Sequence, residues 1–473
     1  MFSPESYTII ASIFPLLLGL IYFFAFGAFL FQIKGLIGEN GILPVDRFLR
    51  SAKTYYPKRC YYLIPTVFWI NCSNQALMAV TGLGTLLSVC LVFGLYPPLM
   101  LFLLYILYLS IVSAGQEFLG FGWEGFLLEI TINAFLLSLT HVPNLMVWIS
   151  INFLLFRFYF SAGLVKLQSR DPSWHNMTAI AHHYQSQPLP NTIAWYVHKL
   201  PLWFHKLTCV GVFFEQLIIP FGIFGTDEIR LWTFILLAFL QYVIWVSGNY
   251  SFLNHLSVVF CTILVSNSTF IRLFGMTSYP EAASPFILNS FLTILGSIFI
   301  LFQVMQVLQH YLRSPLIHKI LSPFSSFHLF NRYGIFAVMT TKRYEMVVEG
   351  SEDGETWKEY LFPYKPSEIN RRPRRIAPYQ PRLDWQAWFL PFSRFESNPW
   401  FHSFLYHLLK GTPDVLKLLR VNPFSAKPPK FVRTLVYLYE FSSYEQKKKE
   451  GVWWRRIYVE DYTPTLSLKM VDE

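Results

Sequence analysis

Charged residues are scarce in this sequence. Asp, Glu, Lys and Arg make up 14% of its 473 residues, and 53% of the residues are hydrophobic. Soluble domains usually carry about 25% charged residues. Because so few polar side chains could not cover a water-soluble globule of this size, the composition excludes a wholly soluble protein and indicates membrane-embedded segments.

Cysteine is also rare, and it is confined to the first part of the chain. Residues 262–473 contain none, so the C-terminal part must fold without a disulfide. Four of the five cysteines lie in or beside apolar runs, where a free thiol behaves as a small hydrophobic group. A bridge between Cys60 and Cys72 is the alternative to free thiols. The cysteines are Cys60, Cys72, Cys90, Cys209 and Cys261.

Motifs of soluble enzymes and of metal sites are absent. The chain has no G-x-S-x-G elbow, no P-loop and no Rossmann fingerprint. Histidines cluster between residues 175 and 205, but the H-x-x-x-H and H-E-x-x-H spacings do not occur, and Asp171 is the only acidic residue nearby. We therefore predict no metal site and no cofactor. The net charge of +10 comes without a nucleic-acid-binding motif, so membrane lipids are the expected partner and nucleic acid is not.

Long apolar runs dominate the first 311 residues. Nine stretches stand out in a window of about 19 residues. Two of them, 98–114 and 126–140, are short for a membrane span, so seven or eight spans remain the alternative. The sequence predicts a multi-span α-helical membrane bundle of about nine helices over residues 1–311. The runs are 7–31, 76–95, 98–114, 126–140, 145–165, 207–225, 229–247, 253–271 and 286–309.

The loops of the predicted bundle alternate between long and short. The long loops 32–62 and 166–206 fall on the same side as the C-terminal tail, so the polar sequence gathers on one face of the membrane. Most basic loop residues lie on this face too, which the positive-inside rule places in the cytoplasm. Four glycosylation sequons matter only if the chain enters a secretory pathway. They begin at Asn71, Asn176, Asn249 and Asn267.

The C-terminal part, residues 312–473, is predicted to be a soluble β-rich α+β domain. It carries 25 of the 38 Lys and Arg residues and 17 of the 28 acidic residues, a mixture that suits water. Ser351–Gly354 supplies a tight turn between two strands. Strands are predicted within 335–349, 431–441 and 453–460, and helices over 398–410 and 413–420.

Charged residues within the apolar runs are candidates for function, since burying each in lipid costs at least about 2.5 kcal/mol. Glu129 and Arg157 lie on neighbouring predicted helices and could neutralise each other as a structural pair. A solvated transport path lined by Glu124, Glu129 and Arg157 is the alternative. Lys166 lies at a helix end, where we favour a side chain that reaches the headgroups. In a dry pocket it could instead act as a base.

Five tryptophans in the tail are candidate protein-binding residues. Aromatic and Arg side chains are the usual anchors of binding sites, although most tryptophans of a domain this size belong to its core. We expect two or three of them to be structural and the rest to be exposed. The five are Trp385, Trp388, Trp400, Trp453 and Trp454.

Several long strings resemble the lipase maturation factor family along nearly the whole chain. In the membrane part they are GLVKLQSRDPSWHNMTAIAHHYQSQPLPN from Gly163 and SGNYSFLNHLSVVFC from Ser247. In the tail they are YGIFAVMTTKRYEMVVEGSEDGETWKEY from Tyr333, RRPRRIAPYQPRLDWQAWF from Arg371, NPWF from Asn398 and GVWWRR from Gly451.

This resemblance implies a multi-span protein that helps secreted lipases fold and assemble. Its membrane would be that of the endoplasmic reticulum in a eukaryote, or the inner membrane in a bacterium. The family places the C-terminal region in the lumen, against the positive-inside rule, and we follow the family. The predicted client-binding residues are Arg382, Asp384, Trp385, Trp388 and Trp400.

Two further resemblances concern smaller parts of the chain. FLFQIKGLIGENGILP from Phe29 and FGWEGFLLE from Phe121 resemble vitamin K-dependent carboxylases and related horizontally transferred transmembrane domains. There Lys166 loosely matches a Gly-x-x-Lys segment that holds the base, which implies, as the alternative function, a membrane-embedded enzyme acting on a lipid-soluble substrate. We favour a folding factor over this enzyme. GSEDGETW from Gly350 resembles a turn of discoidin-like β-sandwiches.

Overall fold

The structure, a computed structural model, describes residues 3–275 and 285–471. Helices account for almost all of its first two thirds. In chain order they are α1 (Thr8–Leu30), α2 (Ile33–Ile37), α3 (Val45–Tyr55), α4 (Cys60–Leu63), α5 (Asn74–Val92), α6 (Pro97–Ala114), α7 (Gly122–Leu137), α8 (Leu145–Gln168), α9 (Pro172–His175), α10 (Ala179–Ser186), α11 (Thr192–Val197), α12 (Leu202–Leu217), α13 (Asp227–Ser247), α14 (Leu253–Cys261), α15 (Asn267–Phe274) and α16 (Phe286–Leu312).

All nine predicted apolar runs are helical, but fewer qualify as full membrane spans. Within the described residues, seven helices are long and apolar enough to cross a bilayer, or eight if one bent pair counts as a span. The seven are Pro4–Leu30, Asn74–Val92, Pro97–Ala114, Leu145–Gln168, Leu202–Phe224, Asp227–Ser247 and Phe286–Gln309.

Two of the nine predicted spans depart from the expectation. Helix α7 has 16 residues, a length of about 24 Å at 1.5 Å per residue, and it lies almost wholly buried among the other helices. The run 253–271 is broken into Leu253–Leu264 and Asn267–Phe274, which meet at a bend of 102°. The length of the run 126–140 already marks it as short for a membrane span, whereas the bend within 253–271 leaves no trace in the hydropathy.

Small residues bring neighbouring bundle helices close together. At Gly84 of α5, an added Cβ would lie 2.4 Å from the ring of Phe26 in α1. At Gly19 of α1, it would lie 2.9 Å from the carbonyl oxygen of Ser88 in α5. Such positions let helix backbones approach closely in a membrane, where apolar burial gives little drive for association.

The C-terminal part adds a small sheet and short helices. The strands are β1 (Arg343–Ser351), β2 (Lys358–Glu359), β3 (Phe431–Phe441), β4 (Trp454–Asp461) and β5 (Leu466–Ser467). The helices are α17 (Pro315–Leu321), α18 (Arg382–Ala387), α19 (Pro399–Lys410), α20 (Pro413–Leu416), α21 (Tyr444–Glu450) and α22 (Leu468–Val471). The fold class predicted from the sequence is therefore confirmed: a multi-span helical bundle with a β-containing C-terminal part.

The five strands form one antiparallel sheet. Its order is β2-β1-β3-β4, and β5 also pairs with β3. Met346 lies opposite Val436 in the register of β1 and β3. In the residues that the structure describes, this is the only sheet, and the turn at Ser351–Gly354 follows its strand β1.

Two predicted elements of the tail are shorter than expected. The strand within 335–349 begins only at Arg343, and the helix over 413–420 ends at Leu416. Residues 335–342 alternate in part like a strand, but Phe336 packs on His183 of α10 and on Tyr250 instead of on a neighbouring strand, and Val338 is exposed. We call residues 328–339 the connecting segment, because they lead from the bundle to the sheet along the bundle's surface.

The bundle and the tail share one hydrophobic core, which joins Phe29 and Phe126 to Trp385 and Trp400. Both long loops of the bundle contact the tail. The Ser403 hydroxyl donates to the Ile42 carbonyl over 2.5 Å, and the Thr192 hydroxyl donates to the Pro373 carbonyl over 2.6 Å. The polar sequence thus gathers on one side of the bundle, with the tail docked against it.

Candidate functional site

A mainly apolar cavity of about 250 Å³ lies at the tail side of the bundle. Helices α8, α12 and α13 and the start of α14 form its walls, and the connecting segment closes it. Ligand sites are usually concave and mostly apolar with a few placed polar groups. The apolar wall includes Phe158, Trp174, Val212, Leu240, Ile244 and Phe336.

Lys166, in the last turn of α8, places its ammonium group in this cavity. The residue is 5% exposed. Its Nζ donates to the carbonyl of Ala162 over 2.7 Å, and to Gln216 Oε1 and the carbonyl of Ile335 over 3.1 Å each. The ring of Trp174 lies 5.4 Å from Nζ. Three acceptors around one nitrogen match the three N–H donors of an ammonium ion.

The favoured interpretation of Lys166 as a side chain reaching the headgroups is wrong. The side chain is buried because the connecting segment lies over it and supplies one of its acceptors, the carbonyl of Ile335. No Asp or Glu of the described chain lies within ion-pair distance of Nζ, so the charge is held by neutral acceptors alone.

Polar groups next to Lys166 continue into the loop helices. The hydroxyl of Tyr250 donates to Gln187 Oε1 over 3.0 Å and also lies 3.0 Å from His183 Nε2. Burial, with the nearby charge of Lys166, lowers the pKa of His183 to about 4. His183 is therefore neutral at neutral pH, and it adds no second charge to the cavity.

Asp171 fastens the connecting segment below the cavity. Its Oδ1 accepts from the Ser173 amide over 2.8 Å, which caps α9, and its Oδ2 accepts from the Met339 amide over 2.6 Å. Burial would raise the pKa of Asp171, but these backbone hydrogen bonds lower it overall. The aspartate therefore stays ionised and holds Met339 against the loop.

Glu129 and Arg157 form the buried ion pair that the sequence suggested. The structure adds two partners from the connecting segment. The hydroxyl of Tyr333 donates to Glu129 Oε2 over 2.5 Å, and the backbone and side-chain amides of Asn331 donate to the same oxygen over 2.9 Å. Arg157 Nη1 donates to the Asn331 carbonyl over 2.8 Å. This cluster fixes the connecting segment to α7 and α8.

Glu124 forms a second buried pair, with Arg382 of the tail. Arg382 Nη1 lies 2.8 Å from Glu124 Oε1 and 2.8 Å from the carbonyl oxygen of Phe118. The hydroxyl of Tyr108 donates to the other carboxylate oxygen. Glu124, Glu129 and Arg157 are thus enclosed and paired, and none of them lines the cavity, so the alternative of a solvated path along them has no support in the described chain.

The residues predicted to contact a client are mostly buried. Arg382, Asp384, Trp385 and Trp400 are each at most 3% exposed, and Trp388 is half-buried. These four side chains are covered, and a client contact through them stays an untested prediction. The reason is that this face of the tail packs against the bundle's loops, which sequence periodicity within the tail cannot reveal.

Each of these side chains has a structural partner. Asp384 Oδ1 accepts from the amides of Tyr364 and Lys365 over 2.7 Å each. Burial raises the pKa of Asp384 to about 6. The ring of Trp385 lies 5.1 Å from that of Trp123. Trp454 is buried and Trp453 is half-buried. That the segment 382–400 contacts a client therefore stays a prediction. Arg382, Asp384, Trp385 and Trp400 are too buried to anchor such a contact.

Two further tryptophan contacts hold the tail against the bundle. Trp400 packs on Phe118 with ring centroids 5.8 Å apart. The half-buried Trp388 donates its Nε1 to the Ser186 carbonyl over 2.9 Å. Trp400 and Trp388 therefore both connect the tail to loops of the bundle.

Other predictions about sites concern metals and cysteines. Within residues 3–275 and 285–471, no three His, Cys, Asp or Glu side chains are arranged to hold a metal ion. The five cysteines are free thiols, including Cys60 and Cys72.

The sequence did not single out Gln216, Tyr250 or the carbonyl of Ile335. The available signal was that the strings from Gly163, Ser247 and Tyr333, quoted for the resemblance, all contribute to the cavity's lining.

The bundle, the cavity and the docked tail define a polytopic membrane protein with a C-terminal module fastened to one face. The chain matches the family model described as the lipase maturation factor transmembrane domain over residues 9–272. It also matches the model described as the lipase maturation factor C-terminal domain over residues 329–464. It belongs to the lipase maturation factor family.

Individual relatives agree with this assignment. Lipase maturation factor 1 of Homo sapiens is 33% identical, with 96% of this chain and 87% of the relative covered. Lipase maturation factor 2 of Xenopus laevis is 30% identical, with 95% of this chain and 81% of the relative covered. No solved structure matches the chain.

Proposed function

We propose that this protein is a membrane-anchored maturation factor that assists the folding and assembly of secreted lipases. The observation that carries the proposal is the match of both parts of the chain, bundle and tail, to the lipase maturation factor family. In a eukaryotic cell the membrane would be that of the endoplasmic reticulum, with the tail in the lumen. In a bacterium it would be the inner membrane.

The surface that contacts the client is proposed to lie on the free side of the tail. There a groove of about 580 Å³ runs between residues 391–396 and the edge strand β4. Phe392 and Val459 line it and are 54% and 44% exposed. Exposed apolar side chains of this kind suit the apolar patches of an immature client, and β4, the last strand in the sheet order, offers its edge near Val459 to an extended segment.

Point substitutions test this surface better than removal of the tail. A truncation at Arg313 also removes Asn331 and Tyr333, which hydrogen-bond the buried Glu129, and so damages the bundle itself. The double variant Phe392→Asp, Val459→Asp changes only exposed side chains. Its matched control is Val421→Asp, which is 37% exposed in the tail but outside the groove.

The assay is co-expression with a secreted dimeric lipase in cells that lack their own maturation factor. Lipase activity and co-purification with the client are scored together. We expect the native chain and Val421→Asp to restore both, and the groove variant to lose both. Full rescue by the groove variant would remove the groove from the proposal. Absence of rescue by the native chain would contradict the proposed client.

The orientation has a separate test. Asn176 begins a sequon in the long loop 166–206, and its side chain is exposed. If this face is lumenal, the native protein from a eukaryotic cell carries an N-glycan that Asn176→Gln lacks. A native protein without a glycan at Asn176 would favour the cytoplasmic placement given by the positive-inside rule.

The cavity supports a second candidate function, an enzyme that uses Lys166 as a general base on a lipid-soluble substrate. A water-poor apolar site is the setting in which a lysine could lose its proton. The three acceptors around Nζ suit the charged form instead, which is not a base. In the rescue assay, Lys166→Ala keeps lipase maturation if the protein is a folding factor alone. Loss of maturation with client binding intact would favour the enzyme.

A further inference from the structure

We propose that the cavity around Lys166 binds one single-chain lipid with a carboxylate head, a long-chain fatty acid, whose head lies at the Lys166 ammonium. This ligand site is independent of whether the client is a lipase. It rests on the charge, the shape and the position of the cavity.

The charge of the lining is of one sign. Among the described residues that form the cavity, Lys166 and Arg332 are cationic and none is acidic. Lys166 is buried, whereas Arg332 is exposed. A buried charge is normally paired with an opposite charge, because leaving it unpaired in an apolar site is costly. The cavity therefore lacks one negative charge.

The missing partner is a monoanion. One buried ammonium balances one carboxylate, while a phosphate monoester would bring close to two negative charges into the same site. Lys166 holds its present acceptors, a side-chain amide and two carbonyls, at 2.7 to 3.1 Å. A carboxylate accepts stronger, charge-assisted hydrogen bonds than these neutral groups do.

The remainder of the cavity suits a hydrocarbon chain. Its volume of about 250 Å³ exceeds the roughly 150 Å³ of a dry apolar cavity that accepts benzene. Phe158, Leu240 and Ile244 lie along the wall. Val212 of α12 and Val243 of α13 both line the cavity and are half-buried. A chain that starts at Lys166 can leave between these two helices, both of which are apolar enough to face lipid.

Photolabelling of the full-length protein in nanodiscs of zwitterionic lipid tests the site. The probe is palmitate carrying a diazirine in its chain and a terminal alkyne. We expect saturable labelling on α12 or α13, competed by unlabelled palmitate and not by hexadecanol, which lacks the charge. Labelling should fall about tenfold in Lys166→Gln, the loss expected from removing a hydrogen bond between charged groups.

Matched variants separate recognition from misfolding. Lys206→Gln removes an exposed lysine of α12 and should label like the native chain. Val212→Trp keeps Lys166 but fills the cavity, and it should also abolish labelling while eluting as the native protein does in size-exclusion chromatography. Three results overturn the proposal: equal labelling of Lys166→Gln and Lys206→Gln, equal competition by hexadecanol, or stronger competition by lysophosphatidate than by palmitate.

Discussion

Removing the guanidinium of Arg382 should loosen the tail from the bundle. Arg382 donates over 2.8 Å to both Glu124 and the Phe118 carbonyl, and both charged side chains are buried. In Arg382→Leu, Glu124 keeps only the hydrogen bond from Tyr108 among its described side-chain contacts. Two hydrogen bonds to charged groups, at about 1.5–3 kcal/mol each, agree with the loss of about 3–5 kcal/mol expected when one partner of a buried pair is removed.

The free energy of unfolding, followed by tryptophan fluorescence during denaturant titration in detergent, measures this loss. The matched control is Arg420→Leu. Arg420 pairs with Glu368 on the surface of the tail, where the two side chains are 32% and 36% exposed. Such surface pairs contribute about 1 kcal/mol at most. We therefore expect Arg382→Leu to cost several times more than the control.

A double variant completes the test. Glu124→Leu with Arg382→Leu removes both charges, and apolar replacement of a buried pair is often close to neutral. The double variant should therefore be more stable than Arg382→Leu alone. The reasoning is refuted if Arg382→Leu costs no more than Arg420→Leu, or if the losses of the two single variants add in the double variant.

Three further predictions use the same titration. Burial lowers the pKa of His183 from 6.5 to about 4. Between these values the unfolded chain binds more protons than the folded protein, so stability is lost as the pH falls through this window. The variant His183→Gln should lose less stability there, and an equal loss in both proteins would contradict the burial of the ring. Gly84→Ala drives a methyl to within 2.4 Å of the Phe26 ring and should cost about 1–3 kcal/mol, whereas Gly82→Ala meets nothing within 4 Å and should stabilise by about 0.5–1 kcal/mol. Trp385→Ala should cost about 3–5 kcal/mol; a loss below 1 kcal/mol would place this ring outside the core.

Sequence patterns predict the elements of this protein better than the contacts between them. The nine apolar runs and the strands near 431–441 and 453–460 follow from local periodicity, and the structure has helices and strands there. Local pattern shows that the run 126–140 is short for a span, but it cannot show that other helices of the chain enclose α7 or that the run 253–271 bends. The same limit applies to 335–342, where Phe336 packs on His183 of α10 and not on a strand.

The candidate site shows the limit most clearly. The local sequence around Lys166 is the same for an exposed and for a buried ammonium. Whether the Lys166 ammonium is buried depends on the segment around Ile335, whose carbonyl accepts from it and lies 169 residues further along the chain. Similarly, the sequence near Trp385 suits an exposed binding residue, but in the structure Phe121 and Trp123 pack against its ring. The ion pair of Glu129 and Arg157 could be inferred because both partners lie on neighbouring helices.

The hydrogen bonds of the connecting segment have a consequence for the order of synthesis. Glu129 enters the membrane before the ribosome has made Asn331, which lies 202 residues later in the chain. Asn331 donates to the Glu129 carboxylate in the folded protein. Throughout that interval Glu129 and Arg157 have only part of their final hydrogen-bond set. The newly inserted bundle is therefore an unfinished intermediate that the last third of the chain completes, and a ribosome that stops before Asn331 leaves a membrane protein with an incompletely satisfied charge cluster at its centre.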